Sequence, residues 1–174
     1  MKTLILGGIK SGKSKYAEQC AHASGKKVTI IATATAEDEE MRERILKHQQ
    51  QRDNRWSLIE EPIQLDHILE QHSNANNCLL IDCLTLWLCN LLSLNNKATM
   101  QAHIDNFVIQ VKQSSAQIIM VSNETSMGII PMGELTRQYC DEAGKLHQQI
   151  AQHCDRVVLT IAGLPQFIKG APDE

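Results

Sequence analysis

Aromatic residues are scarce in this chain of 174 residues: two Trp, two Tyr and two Phe, 3% in all. The core must therefore be built from Ile, Leu, Val, Ala and Met, and nucleic-acid bases would find little to stack on. Blocks of basic residues are also missing, and the formal net charge is −3. Together these exclude a general nucleic-acid surface. They leave open a local pocket for a small anion, because net charge is a sum over the whole surface.

The six cysteines, Cys20, Cys78, Cys83, Cys89, Cys140 and Cys154, form no C-x-x-C pair. That removes the usual spacing of a metal or redox site and points to free thiols in a reducing compartment. No apolar run is long enough for a membrane. The longest, "CLLIDCLTLWLCNLL" over 78–92, carries Asp82 and stops short of the ~20 residues a span needs. The opening "MKTLILGG" has too short an apolar part for a signal peptide and no cleavage site. The expectation is a soluble, cytoplasmic protein. Its length suits one domain, 1–174.

What is present is an alternation. "TLIL" (3–6), "KVTIIAT" (27–33), "CLLID" (78–82), "QIIMVS" (117–122) and "RVVLTIAG" (156–163) read as five strands. Helical patterns lie between them, over 12–23, 37–51, 63–72, 84–92, 99–114 and 133–154, and residues 52–62 read as a loop. Strands that are apolar throughout, separated by helices, predict an α/β fold with a mostly parallel sheet covered on both faces.

The sharpest motif is "GGIKSGKS", Gly7 to Ser14, which fits G-x-x-x-x-G-K-[ST] after a strand and before a helix. Glycines let the backbone aim its N–H groups inward, and the helix N-terminus adds partial positive charge. Lys13 can reach the outer phosphates of a nucleoside triphosphate, and the Ser14 hydroxyl can ligate Mg²⁺. Such enzymes need a carboxylate at a nearby strand end, and Asp82 follows four apolar residues. The same residue could cap the helix that begins at Leu84. Thr33 and its neighbours end the second strand at the same edge, where phosphate contact and ordinary strand-end capping are equally open.

On the helix expected over 37–51, Arg44, His48 and Arg52 recur at i, i+4 and i+8, in one row. An imidazole between two guanidiniums resists protonation. Neutral imidazole is a nucleophile, and flanking arginines can neutralise phosphate oxygens. From the residues alone a packing or surface role for His48 stays open, as do solvated roles for Arg55, Glu60 and Glu61.

In order along the chain stand "GGIKSGKS", "IIATATAEDEEMRERILKHQQQR", "LLIDCLTLWLCNLL", "VSNETSMGIIP" and "AGLP". Together they resemble the bifunctional adenosylcobinamide kinase/adenosylcobinamide-phosphate guanylyltransferase family of cobalamin biosynthesis. The resemblance covers nearly the whole length. It implies a P-loop NTPase fold of RecA-like type and two reactions. The first moves a phosphoryl group from ATP or GTP to adenosylcobinamide. The second moves GMP from GTP through a guanylylated histidine, giving adenosylcobinamide-GDP. By resemblance the histidine is His48, and Lys13 is catalytic. The implied nucleotide contacts are Gly7, Gly8, Ile9, Lys10, Ser11, Gly12, Lys13 and Ser14, then Ala32, Thr33 and Ala34. Gln49, Gln50, Gln51, Arg52, Glu60 and Asp82 complete them.

Mg²⁺, held through Ser14 and Asp82, and a homotrimer are implied as well. Two positions depart from the family pattern: Cys140 and His147 stand where the family tends to have Arg and Asn. The alternatives are a P-loop kinase for another small alcohol, with His48 structural, or a nucleotide-dependent switch using the "NETSMGIIP" loop.

Overall fold

The computed structural model describes residues 1–35 and 55–172. The helix expected over 37–51, with Arg44, His48, Gln49, Gln50, Gln51 and Arg52, lies outside the described residues.

Among the described residues seven strands form one sheet: β1 (Lys2–Gly7), β2 (Lys27–Ala32), β3 (Ser57–Glu60), β4 (Asn77–Asp82), β5 (Gln117–Asn123), β6 (Arg156–Ile161) and β7 (Leu164–Lys169). Their order across the sheet is β3-β2-β4-β5-β1-β6-β7. Every pairing is parallel except β6 with β7. The helices are α1 (Lys13–Ala23), α2 (Leu65–His72), α3 (Leu84–Ser93), α4 (Lys97–Gln113) and α5 (Glu134–His153).

The parallel sheet is covered on both faces, and the core divides accordingly. On one face Leu79, Ile81, Ile118 and Met120 pack with Trp87, Phe107, Leu146 and Ile150 of α3, α4 and α5. On the other, Ile5, Ile30, Leu80 and Ile119 pack on Ala17 and Ala21 of α1. Small residues on α1 let that helix lie close to the strands. Few rings are needed: Trp87 and Phe107, 4.8 Å apart between centroids, fill the thick part of the larger cluster. The Trp87 indole N–H, inside that cluster, donates to the Ile63 carbonyl at 2.7 Å.

All five expected strands are present. Two more are not visible in the apolar pattern, and both lie at sheet edges, where only weak patterning is needed. The expected loop 52–62 contains β3, four residues long and mostly exposed. Beyond Ile161 the chain turns at Ala162 (φ 52°) and Gly163 (φ 81°) and returns antiparallel as β7. Two consecutive positive φ values are what a type I′ two-residue hairpin turn requires. Pro165 in β7 is tolerated because an edge strand can spare a donor.

Candidate active site

The P-loop connects β1 to α1, and its conformation follows from its glycines. Gly12 has φ 98°, and a Cβ there would come within 3.0 Å of the Gly163 Cα. At Gly7 a Cβ would stand 2.5 Å from the Thr160 carbonyl oxygen. The loop is thus pressed on the β6–β7 hairpin, and Gly163 N–H donates to the Ser11 carbonyl at 2.9 Å. Lys10 is left-handed as well, φ 55°, and alternating hands turn successive amides toward one side, a nest for anions. The Ser11 hydroxyl is buried with no partner among the described residues, close to where a Gly7 side chain would stand. That residue serves the loop from beneath, while Gly8, Ile9 and Lys10 are exposed at its mouth.

Lys13 is 8% exposed, and its ammonium donates to the Gly8 carbonyl at 2.7 Å, folding the side chain back over the loop. Burial pushes its pKa below the ordinary lysine value, against the pull of Cys83 and Asp82. A buried cation above a ring of amides is set for polyphosphate. Ser14, Glu18 and Asp82 line one depression beside α1. It brings together the two residues expected to serve the metal, although 68 positions separate them in the sequence.

Asp82 ends β4, and the Asp82–Cys83 peptide is cis. Thr33 holds this turn. Its side chain is fully buried, its hydroxyl donates to the Cys83 carbonyl at 2.7 Å and accepts from the Cys83 N–H at 3.0 Å. Its own N–H donates to the Asp82 carbonyl. The Thr33 hydroxyl is therefore spent on positioning Asp82. The carbonyl of Thr33 is gripped by Asn90 of α3 at 2.8 Å, and the same amide reaches the Pro62 carbonyl at 3.1 Å. Asn90 was not among the candidates. An amide side chain inside "LTLWLCNLL" is the signal that could have found it.

Replacing Thr33 by valine keeps the volume but strands a buried N–H and C=O. We expect a loss of about 2–3 kcal/mol, read as a fall in Tm of roughly 5–10 °C, with weakened Mg²⁺-dependent nucleotide binding. An unchanged Tm contradicts the clamp.

Ala32 and Glu60 are register partners, as are Ala32 and Asp82, so these positions share the carboxyl edge of the sheet. Glu61 is drawn away: its Oε1 accepts from the N–H groups of Ile63 and Gln64 at 2.9 and 2.8 Å, capping the approach to α2.

The two departures in α5 meet the end of β5. His147 Nε2 lies 2.8 Å from the Ser122 hydroxyl, and the Cys140 thiol is 3.8 Å from the Thr125 hydroxyl. Burial lowers the His147 pKa from the ordinary 6.5, and Glu124 pulls it back in part. On acidification the unfolded chain takes up this proton first. Stability is therefore lost as pH falls from about 6.5, until the folded imidazole also titrates. We expect the drop in Tm between about pH 7 and pH 5.5 to be smaller in H147N than in the native chain. Equal drops would show that this imidazole carries none of the acid sensitivity.

Known proteins resemble this chain over nearly its whole length. The family described as cobinamide kinase / cobinamide phosphate guanyltransferase matches residues 3–168. The bifunctional adenosylcobalamin biosynthesis protein CobP of Pseudomonas aeruginosa is 48% identical, over 99% of either chain. The corresponding CobU protein of Escherichia coli is 33% identical over 97% of this chain and 100% of its own. Among solved structures, the RadB recombinase superposes with a TM-score of 0.53 at 16% identity, over 91% of this chain and 73% of that one. That likeness shows the fold, a RecA-like P-loop α/β domain.

Proposed function

The chain belongs to the cobinamide kinase / cobinamide phosphate guanyltransferase family, and from that membership and the site we propose two reactions in sequence. The first transfers the γ-phosphoryl group of ATP or GTP to the hydroxyl of adenosylcobinamide. The second transfers GMP from GTP to the phosphorylated product, giving adenosylcobinamide-GDP. The observation that carries the reading is the cradle itself: a tightly turned glycine loop, the buried Lys13 ammonium and, one strand beyond β5, Asp82.

In the first reaction the loop amides and Lys13 hold the β- and γ-phosphates and meet the charge that builds on the leaving diphosphate. Ser14 and Asp82 are the residues that would hold Mg²⁺. Their donor set fits: one hydroxyl and one carboxylate suit a hard cation that takes its remaining oxygens from phosphate and water. No cluster of three or more His, Cys, Asp or Glu among the described residues offers a softer metal a cage. Bound there, Mg²⁺ supplies charge neutralisation between the outer phosphates.

In the second reaction His48 attacks the α-phosphorus of GTP and pyrophosphate departs. The cobinamide phosphate then displaces the histidine. Two displacements allow one pocket to serve two acceptors in turn. Only 13 positions separate Thr35, at the site edge, from His48. Gln49 to Arg52, Ala32 to Ala34 and Glu60 complete the nucleotide contacts.

A homotrimer is part of the proposal. Met127, Ile129, Ile130 and Met132 are 75–97% exposed, an apolar surface that suits a neighbouring subunit or the corrinoid better than water. None of the six cysteines is in a disulfide, and no described helix is long and apolar enough to cross a membrane. Both suit a cytoplasmic enzyme acting on small molecules.

The test is to incubate the purified protein with adenosylcobinamide, Mg²⁺ and ATP or GTP, then with GTP. The expected products are the phosphate and then the GDP-linked corrinoid, resolved by mass. Triphosphate hydrolysis with no corrinoid product would overturn the reading.

A further inference from the structure

A kinase acting on an alcohol has a proton to dispose of, and neither Lys13 nor Ser14 can accept it. The sheet order places β5 between β1 and β4. The chain leaving β5 therefore emerges between the P-loop and Asp82, and the residue there is Glu124. Its N–H donates to the Gly7 carbonyl at 3.0 Å, joining it to the first residue of the loop. Its carboxylate is half-buried and fixed. Oε1 accepts from the Ser126 N–H at 2.6 Å and from the Ser126 hydroxyl. Oε2 accepts no hydrogen bond from the described residues, and the carboxylate as a whole lies within electrostatic reach of His147.

The strand beneath it is locked. Asn123 N–H donates to the Thr85 hydroxyl at 2.8 Å, and Ser122 is paired with His147. A carboxylate with one oxygen pinned and the other open, on a rigid support beside the cradle, is in the state a proton acceptor needs. The exposed apolar segment 127–132 continues directly from it, so an apolar acceptor resting there would pass Glu124 on its way to the phosphate.

We propose that Glu124 is the general base of the kinase step, accepting the proton of the acceptor hydroxyl. A bond forms from the acceptor oxygen to the γ-phosphorus, and the bond from that phosphorus to the β–γ bridging oxygen breaks. The proton passes to Oε2, and the nucleoside diphosphate leaves toward Lys13 and the loop amides. Asp82 is poorly placed for this role, because it faces the depression it shares with Ser14.

The inference rests on the kinase reading above, and it divides the two reactions. The acceptor of the second is a phosphate monoester, whose second pKa is about 6, so it arrives largely ionised and needs no base.

The experiment compares the native enzyme with E124Q and E124D. Phosphorylation of adenosylcobinamide and GMP transfer to pre-formed adenosylcobinamide phosphate are measured separately, with nucleotide Kd alongside. In E124Q the kinase kcat is expected to fall about 10²–10³-fold. Nucleotide Kd and GMP transfer should stay within about threefold, and E124D should recover part of the kinase loss. Kinase turnover within threefold of native, equal loss of both reactions, or lost nucleotide binding would each overturn the assignment. Should E124Q fail to fold, S126A takes its place. S126A removes the hydroxyl bond and leaves only the backbone N–H on Oε1; loosening the carboxylate in this way should lower the kinase kcat alone, by about 3–10-fold, and an unchanged kcat would count against the base. A native enzyme that phosphorylates nothing defeats the kinase reading instead, a result separate from all of these.

Discussion

Lys13→Ala is expected to cripple both reactions, with kcat/KM for each falling by about 10³-fold or more, equivalent to roughly 4 kcal/mol of transition-state stabilisation. Among the described residues Lys13 is the one lysine buried against the loop, and its ammonium already spans back to the Gly8 carbonyl. Removing it leaves the amide nest with its partial charges and no full positive charge at its centre. On the proposed reading both reactions break a phosphoanhydride of a triphosphate held in that nest, so both are expected to suffer. The check is steady-state kinetics of each step, together with nucleotide affinity. Normal affinity and turnover in either step would contradict the placement of the triphosphate.

His48→Ala is expected to separate the reactions. GMP transfer should fall by about 10⁴-fold or more, because a double displacement has no path without its nucleophile. Phosphorylation of adenosylcobinamide should keep most of its rate, since the acceptor hydroxyl attacks the γ-phosphorus directly. Assays of each half-reaction on the same preparation decide the matter. Equal loss of both steps in a folded protein would mean that His48 supports the site and is not the nucleophile.

Much of this architecture is legible along the chain, for a physical reason. A strand buried on both faces must be apolar throughout, so β1, β2, β4, β5 and β6 declare themselves. The P-loop is legible because its parts are contiguous: glycine spacing, lysine and the start of a helix lie within eight residues. The pairing of Ser14 with Asp82 follows once strand ends are known to share an edge.

What the chain hides is made between distant positions. The Thr33 hydroxyl serves Cys83, fifty residues on. Asn90 joins two loops, and Glu124 becomes notable only when β5 is seen to lie between β1 and β4. The edge strands β3 and β7 escape for a related reason, since an exposed edge needs little apolar patterning and tolerates Pro165. Glu60 and Glu61 are neighbours that periodicity cannot separate; geometry does, by giving Glu61 to the turn that precedes α2.

The most direct test of the two-reaction account is mass spectrometry of the intact and digested protein after incubation with GTP and Mg²⁺, without corrinoid. The account predicts one added guanylyl group on the peptide that contains His48, lost in acid and stable in base. An unmodified protein, or a guanylyl group on any other residue, would contradict it.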